Sequence, residues 1–329
     1  MRVLLAVPSS RARLYGMVPL GWALRTAGHE VQIAGRSSFT GTITATGFVA
    51  VSVNEAIRDD PRELGGVLDY AARWRPDLVI WDAAAWGVAA VARKGGAAGV
   101  CLVGPHDHDT VPQDPGAVTL TTLPRSLRPA AHADHRPVRF VPYSGPAELP
   151  AWLGRKSRRP RVYVSRLDSA VVLGGLFEAA GGRRVEIVCA ARRLPEGLRL
   201  PANVRLVDGV PEVAVLTSCA AVVHDGDPVA TVTALACGLP QLALVPPRGG
   251  PVGRGLSGEG GLPGEVARLG AGLLADPARA GAEALAGHLD RLLGDPALRE
   301  RAELARREIA ELPSPRDVVP VLAELAADR

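Results

Sequence analysis

A chain of 329 residues, 47% of them hydrophobic and 22% charged, has material for two domains with separate cores, which excludes a single small binding module, a disordered tail and a fibrous repeat. Aromatic residues are only 4%, too few for the stacked platforms that grip single-stranded nucleic acid or for a sugar-binding face of exposed rings. The net charge of +4 rests on arginines spread along the chain, with Lys94 and Lys156 the only lysines, so it marks no nucleic-acid surface.

In chain order, Arg2-Val-Leu-Leu-Ala-Val7 is an unbroken apolar run, the pattern of a strand buried on both faces of a parallel sheet. Leu14–Ala27 follows as a helix carrying Val18, Trp22 and Ala23, with Gly28 suited to a left-handed stop, and Glu30–Ala34 is the next strand. This βαβ unit recurs at Asp77–Trp81, a helix over Trp86–Lys94, and Gly99–Val103, so the first half reads as a doubly wound sheet. Ten prolines between residues 104 and 160 deny any long helix and mark a domain boundary with solvated loops. Strands resume at Arg161–Ser165, Arg184–Cys189, Val204–Val207, Ala220–Val223 and Gln241–Val245. A charged helix over Pro296–Glu311 and a last one over Val318–Ala327 follow, joined through Pro313-Ser-Pro315. The predicted fold class is α/β, two doubly wound Rossmann-like domains facing across a cleft. Their spans are 1–145, a linker 146–160, 161–312, and a C-terminal helix segment 313–329. Ligands of such sheets bind outside the carboxyl ends of the strands.

Cys101, Cys189, Cys219 and Cys237 form no CxxC pair and sit in apolar stretches, which predicts reduced core residues and a cytoplasmic protein. No signal peptide is expected, and no apolar run approaches the roughly 18 residues of a membrane span. Four histidines cluster in the proline-rich stretch, His106 and His108 in His106-Asp-His-Asp109, and His132 and His135 around Asp134. On an extended segment His106 and His108 point to one side and the two aspartates to the other. Such a pair serves as a metal half-site, a His/Asp acid-base dyad or a plain solvated loop. His29 reads as structural, and His288 carries no signal. Arg155-Lys-Ser-Arg-Arg159 reads as a solvated basic hinge in preference to a polyanion site. The glycine-rich run 247–261 lacks the Lys-Ser/Thr of a phosphate-binding loop and reads as a mobile loop.

The segments Met17-Val-Pro-Leu-Gly-Trp-Ala-Leu-Arg-Thr-Ala-Gly-His-Glu-Val31, Pro76-Asp-Leu-Val-Ile-Trp-Asp82, Val141-Pro-Tyr-Ser-Gly-Pro146, Val204-Arg-Leu-Val-Asp208, Cys219-Ala-Ala-Val-Val-His224, Ala234-Leu-Ala-Cys-Gly-Leu-Pro-Gln241 and Pro313-Ser-Pro315 occur in an order that resembles the actinobacterial antibiotic glycosyltransferases. These are GT-B proteins of family one that move a deoxysugar from a nucleoside diphosphate to a macrolide, enediyne or aromatic polyketide. The resemblance implies a TDP- or UDP-linked sugar as donor, a polyketide-like small-molecule acceptor, no required cofactor and no metal. It implies donor contacts from Ser169, Val210, His224, Gly226 and Thr231, and acceptor contacts from Trp81 and Trp86.

Several positions depart from the family pattern. The family places a general-base His four residues before the Met-Val-Pro-Leu run, and Arg13 stands there. A guanidinium stays protonated and takes up no proton from a hydroxyl. Asp82, aligned with the Asp that orients the base, is left either to pair with Arg13 or to cap the next helix. The family's His-His-Gly-Gly-Ala-Gly-Thr turn, which holds the diphosphate on a helix N-terminus, reads His224-Asp-Gly-Asp-Pro-Val-Ala230. Here Asp225 and Asp227 either cap the helix and repel the donor or hold a divalent cation. The turn Ser165-Arg-Leu-Asp-Ser169 lacks the family's Gly, and the acidic-Gln pair that reads the donor sugar is missing after Pro246. The stretch 104–140 is shorter than the family's acceptor region. Three readings remain. One is a degenerate family member acting as an auxiliary or aglycone-binding partner of an active transferase or of a second copy of itself. The others are an active divergent transferase and a repurposed enzyme using Arg13 as an anion clamp with His106 or His108 as acid or base.

Overall fold

The computed structural model describes residues 1–53, 57, 64–112, 114, 116, 118–146, 148–155, 157–246 and 260–328. The glycine-rich run singled out above lies, for residues 247–259, outside the described residues, as does Lys156. The chain forms two compact units, Met1–Pro146 with Glu311–Arg329, and Ala147–Ala310.

The first unit runs β1 (Arg2–Ala6), α1 (Arg11–Thr26), β2 (Glu30–Arg36), α2 (Thr40–Thr44), β3 (Val49–Val53), α3 (Gly65–Trp74), β4 (Leu78–Asp82), α4 (Ala89–Gly95), β5 (Ala98–Val103), β6 (Val118–Thr121) and β7 (Arg136–Pro137). Its sheet is parallel throughout in the order β3-β2-β1-β4-β5-β6-β7. The apolar run at the start is buried on both sides as its composition requires. Val3, Leu5 and Val7 pack into one core, Leu4 and Ala6 into the other.

The second unit runs β8 (Arg161–Val164), α5 (Ala170–Ala180), β9 (Glu186–Ala190), β10 (Val204–Val207), α6 (Glu212–Leu216), β11 (Ala221–His224), α7 (Pro228–Ala236), β12 (Gln241–Leu244), α8 (Gly261–Arg268), β13 (Gly272–Ala275), α9 (Ala282–Gly294) and α10 (Pro296–Glu311). Its parallel sheet has the order β10-β9-β8-β11-β12-β13. The last helix, α11 (Val319–Ala327), returns to the first unit, where Val318, Val319 and Leu322 join the core of β1 and α1. Arg139 ties the return in place: its backbone N–H donates to the Pro313 carbonyl at 2.7 Å and its guanidinium to the Leu312 carbonyl at 3.0 and 3.1 Å.

Three local expectations are corrected. The helix expected over Trp86–Lys94 opens as a 3-10 turn over Ala83–Val88, because Asp82 caps Ala84 and Ala85 leaves helical geometry (φ −114°, ψ 35°) before α4 begins. The segment carrying His106 and His108 is a 3-10 turn over Pro105–Asp107, not extended, so the two histidines do not share a side by strand alternation. The proline-rich loops are not solvated throughout: Asp107, His108 and His132 are buried, and β6 and β7 extend the sheet. No helix among the described residues is long and apolar enough to cross a membrane.

Candidate functional site

Each sheet reverses its strand order once, at β1/β4 in the first unit and β8/β11 in the second, and the crevice beyond the strand ends at that reversal is where open α/β sheets place ligands. Arg13 lies in the first turn of α1, just after β1, and Asp82 is the last residue of β4, so the first reversal brings them together. Arg13 Nη1 donates to Asp82 Oδ1 at 2.5 Å and to Asp107 Oδ1 at 2.9 Å. Both alternatives for Asp82 hold at once, since the same Oδ1 accepts the Ala84 N–H at 3.0 Å and caps the turn. Asp107 Oδ2 accepts from Gly104 N–H at 3.0 Å. Burial disfavours the charge on Arg13, but Asp82 and Asp107 outweigh it and hold the guanidinium above its ordinary range. Burial, with Asp107 adding to it, pushes the Asp82 carboxyl up to about 6 against the pull of Arg13. One guanidinium therefore faces two carboxylates in a nearly closed site.

The histidines behind this site are kept neutral. Burial lowers His108, whose Nδ1 lies 2.9 Å from Asp109 Oδ1. His132 Nε2–H donates to the Thr110 carbonyl at 2.7 Å, and its ring stacks on His135 at a centroid distance of 4.6 Å. Among the described residues, Nδ1 of His132 and Nδ1 of His135 lack a hydrogen-bond partner. Burial, then His132 and Arg128, push His135 down to about 4. His106 is half-buried. A depressed histidine pKa means that the unfolded chain binds the proton first. The stability the neutral ring supplies is full above about 6.5 and is lost as pH falls toward about 4. Comparing melting temperatures of the native chain and of His135→Gln from pH 7.5 to pH 4.5 should therefore show a difference that narrows on acidification; a difference constant with pH refutes this.

Trp81 and Trp86, expected at an acceptor surface, separate. Trp81 is fully buried in the core between β4 and α4 and is not available to a ligand, because Gly99 and Gly116 leave room for its ring inside the protein. Trp86 is half-buried in the turn after β4.

In the second unit the polar groups at the β8/β11 reversal bond to one another. The Gly226 N–H donates to His224 Nδ1 at 3.1 Å, so His224 Nε2–H donates to Gln241 Oε1 at 2.7 Å, and Gln241 Nε2 donates to the Thr231 carbonyl at 3.2 Å. Both ring nitrogens of His224 are engaged, and burial keeps the imidazole neutral. The Thr231 hydroxyl is fully buried and donates to the Asp227 carbonyl at 2.8 Å. Gly226 has φ +89°, and a Cβ there would stand 2.3 Å from Val245 Cγ1, so this glycine serves the turn. Asp227 caps α7, its Oδ1 accepting the Ala230 N–H at 2.8 Å, and Asp225 accepts the Asp227 N–H at 3.1 Å. Ser169 caps α5 by accepting the Val172 N–H at 3.3 Å, and Val210 packs half-buried against the core cluster of Tyr163, Val188 and Val207. Among the described residues, no group of three or more His, Cys, Asp or Glu side chains is arranged to hold a metal ion. His224 and Thr231, expected at a donor surface, are thus internal, and α7 carries its own carboxylate at the end where free N–H groups would otherwise point.

Sequence reasoning missed Asp107 as the second partner of Arg13, Gln241 as the partner of His224, and Glu212. The last is a carboxyl with an unpartnered buried Oε1, pushed up to about 7 by burial and then by Asp227. Gln241, a polar residue opening an otherwise apolar strand, could have been read as a buried amide in need of partners.

The family model for the erythromycin biosynthesis protein CIII-like C-terminal domain matches residues 175–325. The aklavinone 7-beta-L-rhodosaminyltransferase of Streptomyces galilaeus is 30% identical, covering 99% of this chain and 96% of the relative. That alignment runs over 441 positions for a chain of 329 residues, so about a hundred positions of the relative have no counterpart here. The solved structure of the spinosyn forosaminyltransferase SpnP is 30% identical and superposes with a TM-score of 0.85, covering 99% of both chains. The glycosyltransferase VinC in complex with DTDP is 27% identical, with a TM-score of 0.86 over the whole of both chains.

Proposed function

The chain belongs to the antibiotic-biosynthesis glycosyltransferases of GT-B fold, and we propose that within this family it has given up sugar transfer and serves as an auxiliary protein that binds a polyketide-type aglycone. The observation that carries this reading is Arg13. At the position where the family resemblance puts the base for the acceptor hydroxyl stands a permanently protonated group, held between Asp82 and Asp107. The second unit supports the same reading. A diphosphate approaching α7 meets the Asp227 carboxylate already on the helix end, with Asp225 beside it, and like charges repel where phosphate would be drawn.

An active transferase is the second reading, and one observation favours it. Two carboxylates share one guanidinium, and Asp82, with its carboxyl at about 6, is a group that could take a proton from an acceptor near neutral pH. The relative VinC is solved with DTDP, so TDP is the ligand that separates the two readings. Calorimetric titration with TDP and with UDP, with and without Mg²⁺, and a parallel thermal-shift scan decide between them. The auxiliary reading expects no saturable heat and no shift. A ligand at a hundred times its Kd stabilises by about 2.7 kcal/mol, so binding of useful strength is visible. Stoichiometric binding of either nucleotide, followed by sugar transfer from it to a polyketide, overturns the auxiliary reading in favour of the transferase.

A further inference from the structure

At the opposite end of the second unit from α7, the amino ends of β9 and β10 border a cavity of about 560 Å³ lined by Ser157, Arg158, Arg159, Arg205 and Leu200 among others. We propose that this cavity binds a phosphate-bearing small molecule that also has an apolar portion. It is a site separate from the strand-end crevice at α7, and it does not depend on how that crevice is read.

The electrostatics come first. Glu186 also borders the cavity, but its charge is already matched. Glu186 Oε2 accepts from Arg161 Nε at 2.8 Å and from the Ser157 hydroxyl at 2.9 Å, and these bonds hold the carboxyl below its ordinary range although burial opposes them. Arg205 Nε lies a longer 3.6 Å from Glu186 Oε1. With Glu186 matched by Arg161, the guanidinium groups of Arg158, Arg159 and Arg205 are a surplus of positive charge around one concavity. Among the described residues neither Arg158 nor Arg159 is paired with a carboxylate.

Position comes second. The guanidinium of Arg205 sits 4.7 Å from the centroid of the Trp152 ring and that of Arg161 sits 5.0 Å from it, so one indole steadies both cations. The Ser157 hydroxyl accepts the Arg159 N–H at 3.2 Å while donating to Glu186, which fixes the run 157–159 against the first residue of β9. The basic run that reads as a hinge in the sequence is therefore brought beside a third arginine from β10. Guanidinium forks match phosphate oxygens in pairs, which favours phosphate over a compact inorganic anion. Leu200, half exposed, with Ala202 and Leu206, supplies an apolar flank to the same cavity, suited to a hydrocarbon portion of the ligand.

The test uses the full chain and n-octyl phosphate, with inorganic phosphate and octyl glucoside as companions, followed by calorimetry and by tryptophan fluorescence at low salt. Octyl phosphate is expected to bind saturably at one site, at least tenfold more tightly than inorganic phosphate, while octyl glucoside does not bind. Arg158→Ala/Arg159→Ala is expected to weaken octyl phosphate at least tenfold with an unchanged melting temperature. Arg279→Ala/Arg307→Ala, which removes the same net charge elsewhere on the second unit, leaves it unchanged. Because Arg205 lies over Trp152, the fluorescence response should disappear in Trp152→Phe while the heat of binding remains. The proposal is overturned by any one of three results: no saturable binding, equal weakening in both double variants, or inorganic phosphate binding as tightly as octyl phosphate. TDP is run on the same variants, so nucleotide binding that depends on Arg158 and Arg159 is told apart from binding at α7.

Discussion

Replacing Arg13 by methionine is expected to destabilise the first unit by about 3–5 kcal/mol at pH 7.5, the cost of leaving buried carboxylates without their cation. The change removes the only cation bonded to both Asp82 and Asp107 among the described residues, while the methionine roughly keeps the volume. Its pH dependence carries a sign. The Asp82 carboxyl titrates near 6 in the fold, above its ordinary value, so the folded chain holds a proton that the unfolded chain has released. That contribution is full below about 4 and is lost as pH rises through about 6. Without Arg13 the carboxyl moves higher still, so the deficit of the variant should shrink from pH 7.5 to pH 5. Adding Asp107→Asn should recover part of the loss at pH 7.5. Scanning calorimetry on the three chains measures all of this. A variant as stable as the native chain at pH 7.5 would mean that the ion pairs contribute nothing, and that Arg13 is free to clamp an anion.

Trp81→Ala is expected to cost about 3–5 kcal/mol as well, from a different source, since it empties a fully buried indole volume in the middle of the sheet. Here the glycines fix the space. A Cβ on Gly99 would approach the Trp81 ring to 3.0 Å, and one on Gly116, at φ +68°, to 2.7 Å, so β5 and the segment before β6 are shaped around that ring. Trp81→Phe should recover most of the loss. If instead Trp81→Ala left the melting temperature in place and altered only the binding of a polyketide, the acceptor role that the family resemblance implies would be restored to this residue.

The parts of the fold legible in the sequence are those whose physics is one-dimensional. β1, β4, β5, β8, β11 and β12 are central strands covered on both faces, and each has an apolar run as its body, with polar residues such as Asp82, His224 and Gln241 only at the ends. The strands missed are β3, β6, β7 and β13: β6 and β7 lie in the proline-rich stretch read as loops, and β3 and β13 are sheet edges, half-exposed over Val49–Val53 and only four residues long over Gly272–Ala275. Arg13 and Asp82 were legible because a charge standing where the resemblance expects an imidazole must find a partner. Asp107 was not, because its role depends on the 3-10 turn that folds it back under Gly104, and no periodicity announces that turn. The same holds for His132 and His135, which a proline-rich loop suggests are solvated and which instead stack inside the unit. At α7 the sequence offered a cap or a cation, and Asp227 Oδ1 is placed as the cap of Ala230 N–H.

The return of α11 to the first core has a consequence for the order in which the protein is made. The first unit, whose strands are synthesised before the second unit, needs Val318, Val319 and Leu322 to close its core, whereas the second unit has all of its chain before them. At roughly 5–20 residues per second, the ribosome takes about 10–40 s to add the 180 or so residues from the end of β7's loop to α11. During that interval the faces of β1 and α1 that α11 covers are bare on the nascent chain. The second unit to appear is thus the first that can finish, and the first unit waits for α11.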